Sequence, residues 1–263
     1  MPLFKAITNY LLPMVLISVI SAAHGAVDSK ATGAARVYGV LSLIGDRLDI
    51  VVAAQPAATS MDPNRRESLA IAETIFDDTV LAAIVSTVRR VAPNAELASL
   101  NTRSPALFEK HRTLFAEAGN TITIPEAIRD VLKAQSATHL FLITKRRDEA
   151  STLFDDVISG SRGKLEGLGF YLDGAVETRD AGSGRIGRGY LAPYAYLDIR
   201  LIDLASSTVV KRQKVVDSWP VSVGTSAAGA AGMWGVLSAG NKVRLVNELI
   251  KRELNRVVPE MLR

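Results

Sequence analysis

The sequence predicts an α/β protein, a mixed β-sheet packed by amphipathic helices, on three observations. Residues 68–91 repeat apolar side chains at helical spacing, and residues 241–258 do the same near the end of the chain. Residues 138–144 form an apolar run typical of a strand that is buried on both faces. Residues 194–204 alternate apolar and polar side chains, as a strand with one covered face does. A helical segment that leads directly into a doubly buried strand favours layers of helix and sheet.

Turn and helix signals define the elements before residue 101. Residues 36–44 and 48–54 are apolar and partly β-branched, and the turn pair Gly45 and Asp46 between them predicts a β-hairpin. The helix over 68–91 is expected to end before Pro93. Residues 95–100 predict a short strand.

Two shorter helices are predicted ahead of the buried strand. Ser104 is a favoured N-cap residue, Pro105 suits the first helical position, and Gly119 is expected to stop that helix. Thr123 and Glu126 have the spacing of a capping box, which predicts that the next helix begins there.

Glycine is concentrated in the second half of the chain. Residues 159–189 are rich in glycine and charge, and they predict a long connection around one or two strands such as 170–176. Residues 194–204 and 208–216 predict a second hairpin. Asn241 is expected to cap the last helix.

The first 26 residues have the layout of a secretory signal peptide, with a lysine, then an apolar run, then small residues. The apolar run, interrupted by Pro13, has roughly 14 residues, whereas a membrane-spanning helix needs about 20. An anchor that stays uncleaved is the alternative. Cleavage is expected after Ala23, Gly25 or Ala26. The predicted organisation is a signal helix over 1–26 and a single α/β domain over 27–263, with loop insertions at about 148–189 and 218–240.

Composition and export together predict an unlipidated periplasmic protein. The chain has no cysteine, so it forms no disulfide and offers no thiol for a lipid anchor. The net charge of +4 and the pI near 9.4 predict mild attraction to anionic surfaces such as cell-wall polymers or lipid head groups. Peripheral contact with a membrane is compatible with this charge. Nucleic acid is not expected as the partner of an exported chain.

An uncharged segment over 218–240 carries both tryptophans of the chain. Tryptophans in an apolar, small-residue segment are typical of contact surfaces, so Trp219, Trp234 and Met233 are predicted to touch a partner. A buried or mobile connection to the last helix is the plainer alternative, and a spanning helix is disfavoured because large apolar side chains are too sparse.

Motifs for catalysis are scarce, and no catalytic, cofactor or metal site is predicted. His111 and His139 come from different elements with no cysteine beside them, so no zinc site of nitrogen and sulfur ligands follows. A histidine on the apolar face of a helix, such as His111, is more typical of a core or boundary position. Residues 182–187 match the dinucleotide pattern of three glycines, but a strand-like segment follows where a helix is required.

Two residue patterns leave hydrolytic chemistry open. Ser161 and Lys164 have the spacing of a penicillin-binding enzyme's nucleophile and base, but the partner motifs are missing and neighbouring glycines oppose a helix. The acid pairs Asp77 with Asp78 and Asp155 with Asp156 are adjacent in sequence, so on a helix they point about 100° apart and are expected to face water.

The segments 137–143 and 196–210 resemble envelope proteins of the TolB amino-terminal, LpoB and CsgG type. Segment 137–143 is similar to their entry from helix to strand, and 196–210 to their strand, Asp-containing turn and returning strand. The resemblance covers residues 68–258 in element order and implies a periplasmic α/β interaction or assembly module. The chain departs from the family in lacking the lipobox cysteine, in its opening hairpin and in the glycine-rich connection.

The predicted function is therefore a non-enzymatic periplasmic binding or assembly module of the bacterial cell envelope. Its expected partner is an envelope protein or a cell-wall component, contacted through the uncharged segment. A periplasmic hydrolase with a serine or carboxylate site in the glycine-rich region is the alternative, and a small-ligand carrier is a third.

Overall fold

A computed structural model describes residues 18–20, 36–54, 64–150, 163–179, 184, 186–222 and 229–263. The five helices of these residues are α1 (Ile75–Val91), α2 (Pro105–Leu114), α3 (Glu126–Ala134), α4 (Gly229–Gly235) and α5 (Ala239–Leu262). Their strands are β1 (Ser18–Ile20), β2 (Val37–Leu43), β3 (Arg47–Val52), β4 (Arg65–Ala70), β5 (Glu96–Asn101), β6 (Glu117–Ala118), β7 (Thr121–Ile122), β8 (His139–Lys145), β9 (Arg147–Glu149), β10 (Lys164–Arg179), β11 (Ile186–Asp203), β12 (Thr208–Ser218) and β13 (Val221–Ser222).

The predicted α/β fold, with a mixed sheet packed by helices, is confirmed. Strands β5, β2 and β8 are parallel neighbours, and β11 and β12 continue the sheet in antiparallel pairing. Helices α1 and α5 cover one face, where Phe141 and Ile143 point. Helices α2 and α3 cover the other face, where Leu140 and Leu142 point. Strand β8 is thus buried on both faces, as its unbroken apolar run predicts.

The predicted hairpin over 36–54 is wrong, because the chain bends at residues 44–46 instead of reversing. Strand β2 is parallel to β8, and β3 is parallel to β10. Strands β8 and β10 both run antiparallel to β11, one after the other along the same edge. It follows that β2 and β3 run in the same direction and join two parts of the sheet.

A carboxylate on helix α1 holds this bend. The two oxygens of Asp77 accept hydrogen bonds from the backbone N–H groups of Ile44 and Gly45, each at 3.1 Å. Asp77 is only 3 % exposed. A Cβ atom at Gly45 would collide with this carboxylate, so the close approach requires glycine. The pair Gly45 and Asp46, which predicts a hairpin turn, therefore forms a bend instead. Asp77, 32 positions along the chain from Gly45, holds this bend.

The glycine-rich region forms far more strand than predicted. Strands β10 and β11 build a long antiparallel hairpin across most of 164–203, and residues 151–162 lie outside the described part. Gly169 lets the backbone pass directly against Tyr194, where a Cβ atom would lie 2.5 Å from the hydroxyl. Buried tyrosines at 171, 190, 194 and 196 supply the bulk that these glycines lack.

Several element boundaries differ from the predictions. Residues 65–70 form strand β4, so helix α1 begins at Ile75 and not at 68. Ser238, not Asn241, caps the last helix, because its hydroxyl accepts the N–H of Asn241 at 3.2 Å. No side-chain hydrogen bond caps α3, so the expected capping box is absent. The second hairpin, the strand at β5 and the start of α2 at Pro105 are found as predicted.

Little of the predicted signal peptide lies within the described residues. Ser18–Ile20 form strand β1, which pairs antiparallel with β5 at the edge of the sheet. Residues 1–17 and 21–35 lie outside the described part. Across the described residues, no helix has both the length and the apolar character that crossing a membrane requires.

Asp77 should make the stability of the protein depend on pH. Burial raises the pKa of this carboxyl group from 3.8 to about 6, so the folded protein binds the proton more tightly than the unfolded chain. The resulting stabilisation is complete below about pH 4 and is lost as pH rises through 6. We expect the free energy of unfolding of the wild type, relative to Asp77→Asn, to fall by about 3 kcal/mol over this interval.

Urea unfolding at pH 4, 5, 6 and 7 measures this difference. Asp78→Asn is the matched control, because Asp78 is the exposed neighbour on the same helix. This control variant should follow the wild type at every pH. A constant difference between the wild type and Asp77→Asn would contradict the assignment.

Candidate functional site

Strands β8 and β10 pair with the same edge of β11, and charged side chains cluster beside the junction where one follows the other. Strand β8 ends at Lys145, and the chain crosses to β9 with the N–H of Arg146 bonded to the carbonyl of Tyr196 at 2.9 Å. Strand β10 enters beside it, with the N–H of Gly167 donating to the carbonyl of Arg146 at 3.2 Å. Helix α2 supplies further lining residues to the spaces beside this junction.

Two cavities open at this junction. The first, which we call the bend cavity, has a volume of about 390 Å³, and its lining includes Asp46, Asp49, Arg66, Ser68, Lys145 and Glu166. The second, the arginine cavity, has about 380 Å³, and its lining includes Arg112, Glu117, Arg146, Asp198, Arg200 and Arg212. Three residues line both cavities, namely His111, Lys145 and Arg147.

Carboxylates of the bend cavity are matched by donors. Asp49, 8 % exposed, accepts from the hydroxyl of Ser68 at 2.5 Å and from the guanidinium of Arg66 at 3.3 Å. The ammonium of Lys145 pairs with Asp46. These acids are therefore engaged by cations and a hydroxyl, which offsets the cost of burying their charge.

A closed network of two arginines and two acids forms one wall of the arginine cavity. Arg200, whose side chain is 7 % exposed, donates to Glu117 at 2.7 Å and lies 3.1 Å from Asp198. Arg212 donates to both oxygens of Asp198 at 2.7 Å and to Glu117 at 3.1 Å. These bonds to Asp198 raise the pKa of Arg212. The network joins β6, β11 and β12.

His111 lies between the two cavities and is 5 % exposed. Its Nδ1 donates to the carbonyl of Phe108 at 2.7 Å, one turn earlier in α2. Among the described residues nothing hydrogen-bonds to its Nε2. Burial lowers the pKa of this imidazole, so the ring is neutral at neutral pH and Nε2 carries a lone pair.

An apolar groove of about 620 Å³ lies between β4 and α4, apart from the charged junction. Ile50, Val52 and Leu172 form its floor, and Leu69 and Trp234 form its walls. Trp234 packs edge-on against Phe170, with ring centroids 5.4 Å apart. The ammonium of Lys242 lies 4.1 Å from the centroid of the Trp234 ring.

The structure separates the three predicted contact residues. Trp234 lines the groove, and Trp219 is 45 % exposed with the guanidinium of Arg252 at 5.5 Å from its ring. Met233 is 2 % exposed and packs in the core, so its side chain is not available to a partner here. Residues 223–228 of the same segment lie outside the described part.

Among the described residues, the other candidates from the sequence lie on separate elements. Asp77 caps the bend, whereas Asp78 faces water and binds Asn101 at 3.0 Å. The expectation that both face water is wrong for Asp77, because its carboxylate is buried against the bend and accepts two backbone N–H groups there. His139 is bonded to Thr138 on the far end of β8. Lys164 lies 3.7 Å from Glu149.

Some candidates fall outside the described residues, namely Ser161, Asp155, Asp156 and residues 182, 183 and 185 of the glycine pattern. Within the described residues, no group of three or more His, Asp or Glu side chains is placed to hold a metal ion.

Sequence reasoning missed the junction. The strongest sign of the junction in the sequence is the basic run at 145–147, which directly follows a strand that is buried on both faces. Charged residues at the end of a buried strand are typical of ligand sites at sheet edges. Arg66, Ser68 and Glu166 gave no such signal, because strand pairing alone brings them together.

No protein-family model matches this sequence, and no curated protein matches it. Two proteins of known structure are similar in fold at low TM-score. Protein XCC0632 from Xanthomonas campestris, with the family model DUF330, gives a TM-score of 0.38 at 10 % identity, over 86 % of this chain and 83 % of the other. A PelC dodecamer from Paraburkholderia phytofirmans gives 0.26 at 9 % identity, over 90 % and 96 %. Likenesses this distant support no transfer of function.

Removing one acid from the buried arginine network should destabilise the fold strongly. Asp198→Asn leaves Arg200 and Arg212 with Glu117 as the one remaining carboxylate of this network, and we expect the free energy of unfolding to fall by roughly 3–5 kcal/mol. Glu248→Gln is the matched control, because it removes an exposed acid paired with Arg244 and should cost less than about 1 kcal/mol. Equal effects in chemical denaturation would refute a structural role for the network.

Proposed function

We propose that this protein is a non-enzymatic binding or assembly module of the bacterial cell envelope that acts in the periplasm. Its partner is an envelope protein, held in the apolar groove between β4 and α4. The observation that carries this proposal is an apolar groove bordered by an exposed edge strand.

The groove offers apolar surface that the fold itself leaves uncovered. Helix α4 covers part of this sheet face with Met233, but Ile50 and Val52 beyond it are only half buried. Leu69 is 37 % exposed. Apolar groups that line one concave groove gain free energy when a partner removes them from water, by about 25 cal/mol per Å².

The edge strand supplies backbone groups for pairing. In the described part of the chain β4 pairs only with β3, and all six of its residues are exposed. An extended segment that adds to such an edge gains backbone hydrogen bonds, and its alternate side chains enter the adjoining groove. The occupant is therefore an extended segment of the partner with apolar residues at alternate positions.

The charged residues beside the groove favour one order of charges along such a segment. Arg65 and Glu67 share the groove face of β4 with Leu69, two residues apart. A partner segment with an acid opposite Arg65 and a base opposite Glu67 is favoured, whereas the reversed order places like charges together.

Photo-crosslinking in cells tests the groove. A photoreactive amino acid at Leu69 should give one discrete adduct with an envelope protein, and Trp234→Ala should abolish it. The matched control is the same photoreactive residue at Val210, which is 49 % exposed on β12. We expect no adduct from that position.

A synthetic peptide from the crosslinked segment then provides an affinity. Leu69→Lys should weaken its binding at least tenfold, whereas Val210→Lys should leave it unchanged. Equal adducts from positions 69 and 210, or equal peptide affinities of the two lysine variants, would refute the groove as the docking site.

Export is tested separately by the intact mass of the protein from periplasmic extract. The signal layout predicts a mature chain that begins at residue 24, 26 or 27. Each cleavage removes β1 and makes β5 the edge of the sheet. Full-length protein in the membrane fraction would instead indicate a retained anchor.

A further inference from the structure

We propose that the two cavities beside His111 form one binding site for an acidic sugar, a ligand with an anionic group and neighbouring hydroxyl groups. Apart from Arg66, this site lies on other residues than the groove between β4 and α4, so either proposal can fail without the other.

His111 supplies the first requirement, a buried acceptor that the fold does not use. The bond from Nδ1 to the carbonyl of Phe108 ties one nitrogen to helix α2 and places the proton there. Nε2, on the opposite side of the ring, is buried without a partner among the described residues. Burying an unpaired acceptor costs about 1–3 kcal/mol, which a donating hydroxyl of a ligand removes.

The arginine cavity supplies the second requirement, an excess of positive charge. Six cationic side chains line it, against two carboxylates, Glu117 and Asp198. Both carboxylates are engaged by Arg200 and Arg212. The other cations of the lining include Arg112, Lys145 and Arg146, and each of these three pairs with a carboxylate that lies outside the lining.

The pairs that Arg112 and Arg146 form outside the cavity leave room for an anion. Arg112 pairs with Glu166 at 2.5 Å, but its side chain is 58 % exposed. An exposed pair contributes only about 0–1 kcal/mol, so an incoming carboxylate can take its place at Arg112. Arg146 uses Nε and one terminal nitrogen on Asp148 and keeps further donors.

The bend cavity receives the hydroxyl groups. Its carboxylates on Asp49 and Glu166 accept hydrogen bonds, and the hydroxyl of Ser68 lies on the same wall. Because His111, Lys145 and Arg147 line both cavities, one ligand can place its anion on the arginines and its hydroxyls on the acids. Cavities of about 390 and 380 Å³ lie within the range of small-ligand pockets.

The lining favours a sugar over a nucleotide. Phe108 and Phe115 are the aromatic residues of the two linings apart from His111, and both pack in the core under α2. Neither offers an open face on which a base can stack.

Calorimetric titration of the whole protein tests the proposal with four probes. D-glucuronate carries both features, D-glucose lacks the anion, acetate lacks the hydroxyls, and trigalacturonate represents an acidic polysaccharide. We expect D-glucuronate or trigalacturonate to bind with a Kd below 1 mM, and D-glucose and acetate to bind at least tenfold more weakly. Tighter binding of the trimer indicates a polymer, and equal binding per sugar indicates a free sugar acid.

Variants assign the binding to this site. His111→Phe removes the acceptor and Arg112→Gln removes a cation, and each should weaken binding at least tenfold. Arg244→Gln is the matched control, because it removes an exposed arginine on α5 and should leave the affinity unchanged. Circular dichroism confirms that each variant is folded.

Nitrogen NMR of the histidine side chains gives a readout on the wild type that needs no folded variant at position 111. The Nε2 resonance of His111 should shift on addition of the acidic sugar, whereas His139 should not, since it lies at the other end of β8. Absence of binding, equal affinity for glucose or acetate, an unshifted His111 resonance, or full affinity in Arg112→Gln would each overturn the proposal.

Discussion

The two hydrogen bonds from the bend at Ile44 and Gly45 to the carboxylate of Asp77 decide how this sheet is built. They hold β2 and β3 in one direction, so that β2 lies beside β8 while β3 lies beside β10. Strand β4 then becomes an edge of the sheet, and the junction of β8 and β10 lies next to α2. Both candidate surfaces exist because the chain continues past residue 45 instead of folding back.

Charge in this protein is mostly compensated where it is buried. Arg200 and Asp198 satisfy each other within a network that also holds Glu117 and Arg212. Buried ions are costly unless each is paired, so such a network fixes the relative positions of β6, β11 and β12. Two nitrogens, Nε of Arg200 and Nε2 of His111, are nevertheless buried without a hydrogen-bond partner among the described residues. Nε of Arg200 lies 3.1 Å from an oxygen of Asp198, whereas Nε2 of His111 is the acceptor that the proposed sugar would use.

Local sequence patterns predicted the elements that are determined by their own residues. The apolar run in β8 predicted burial on both faces, and Pro105 predicted the start of α2. The signals failed where distant residues intervene. The pair Gly45 and Asp46 suits a hairpin, but Asp77 captures the adjoining N–H groups and turns it into a bend. Glycines of β10 suggested a loop, yet tyrosines of β11 fill the space above them.

By itself the sequence determined the fold class, the doubly buried strand, the absence of disulfides and the amphipathic helices, because side-chain periodicity and composition are local properties. Only the tertiary structure decided the direction of β3, the exposed edge at β4 and the meeting of His111 with Lys145 and Arg147. These features depend on strand order and on contacts between residues far apart in sequence, for which no local pattern codes. The physical reason is that the N–H groups of a turn can bond to a residue far away in sequence, as those of Ile44 and Gly45 bond to Asp77.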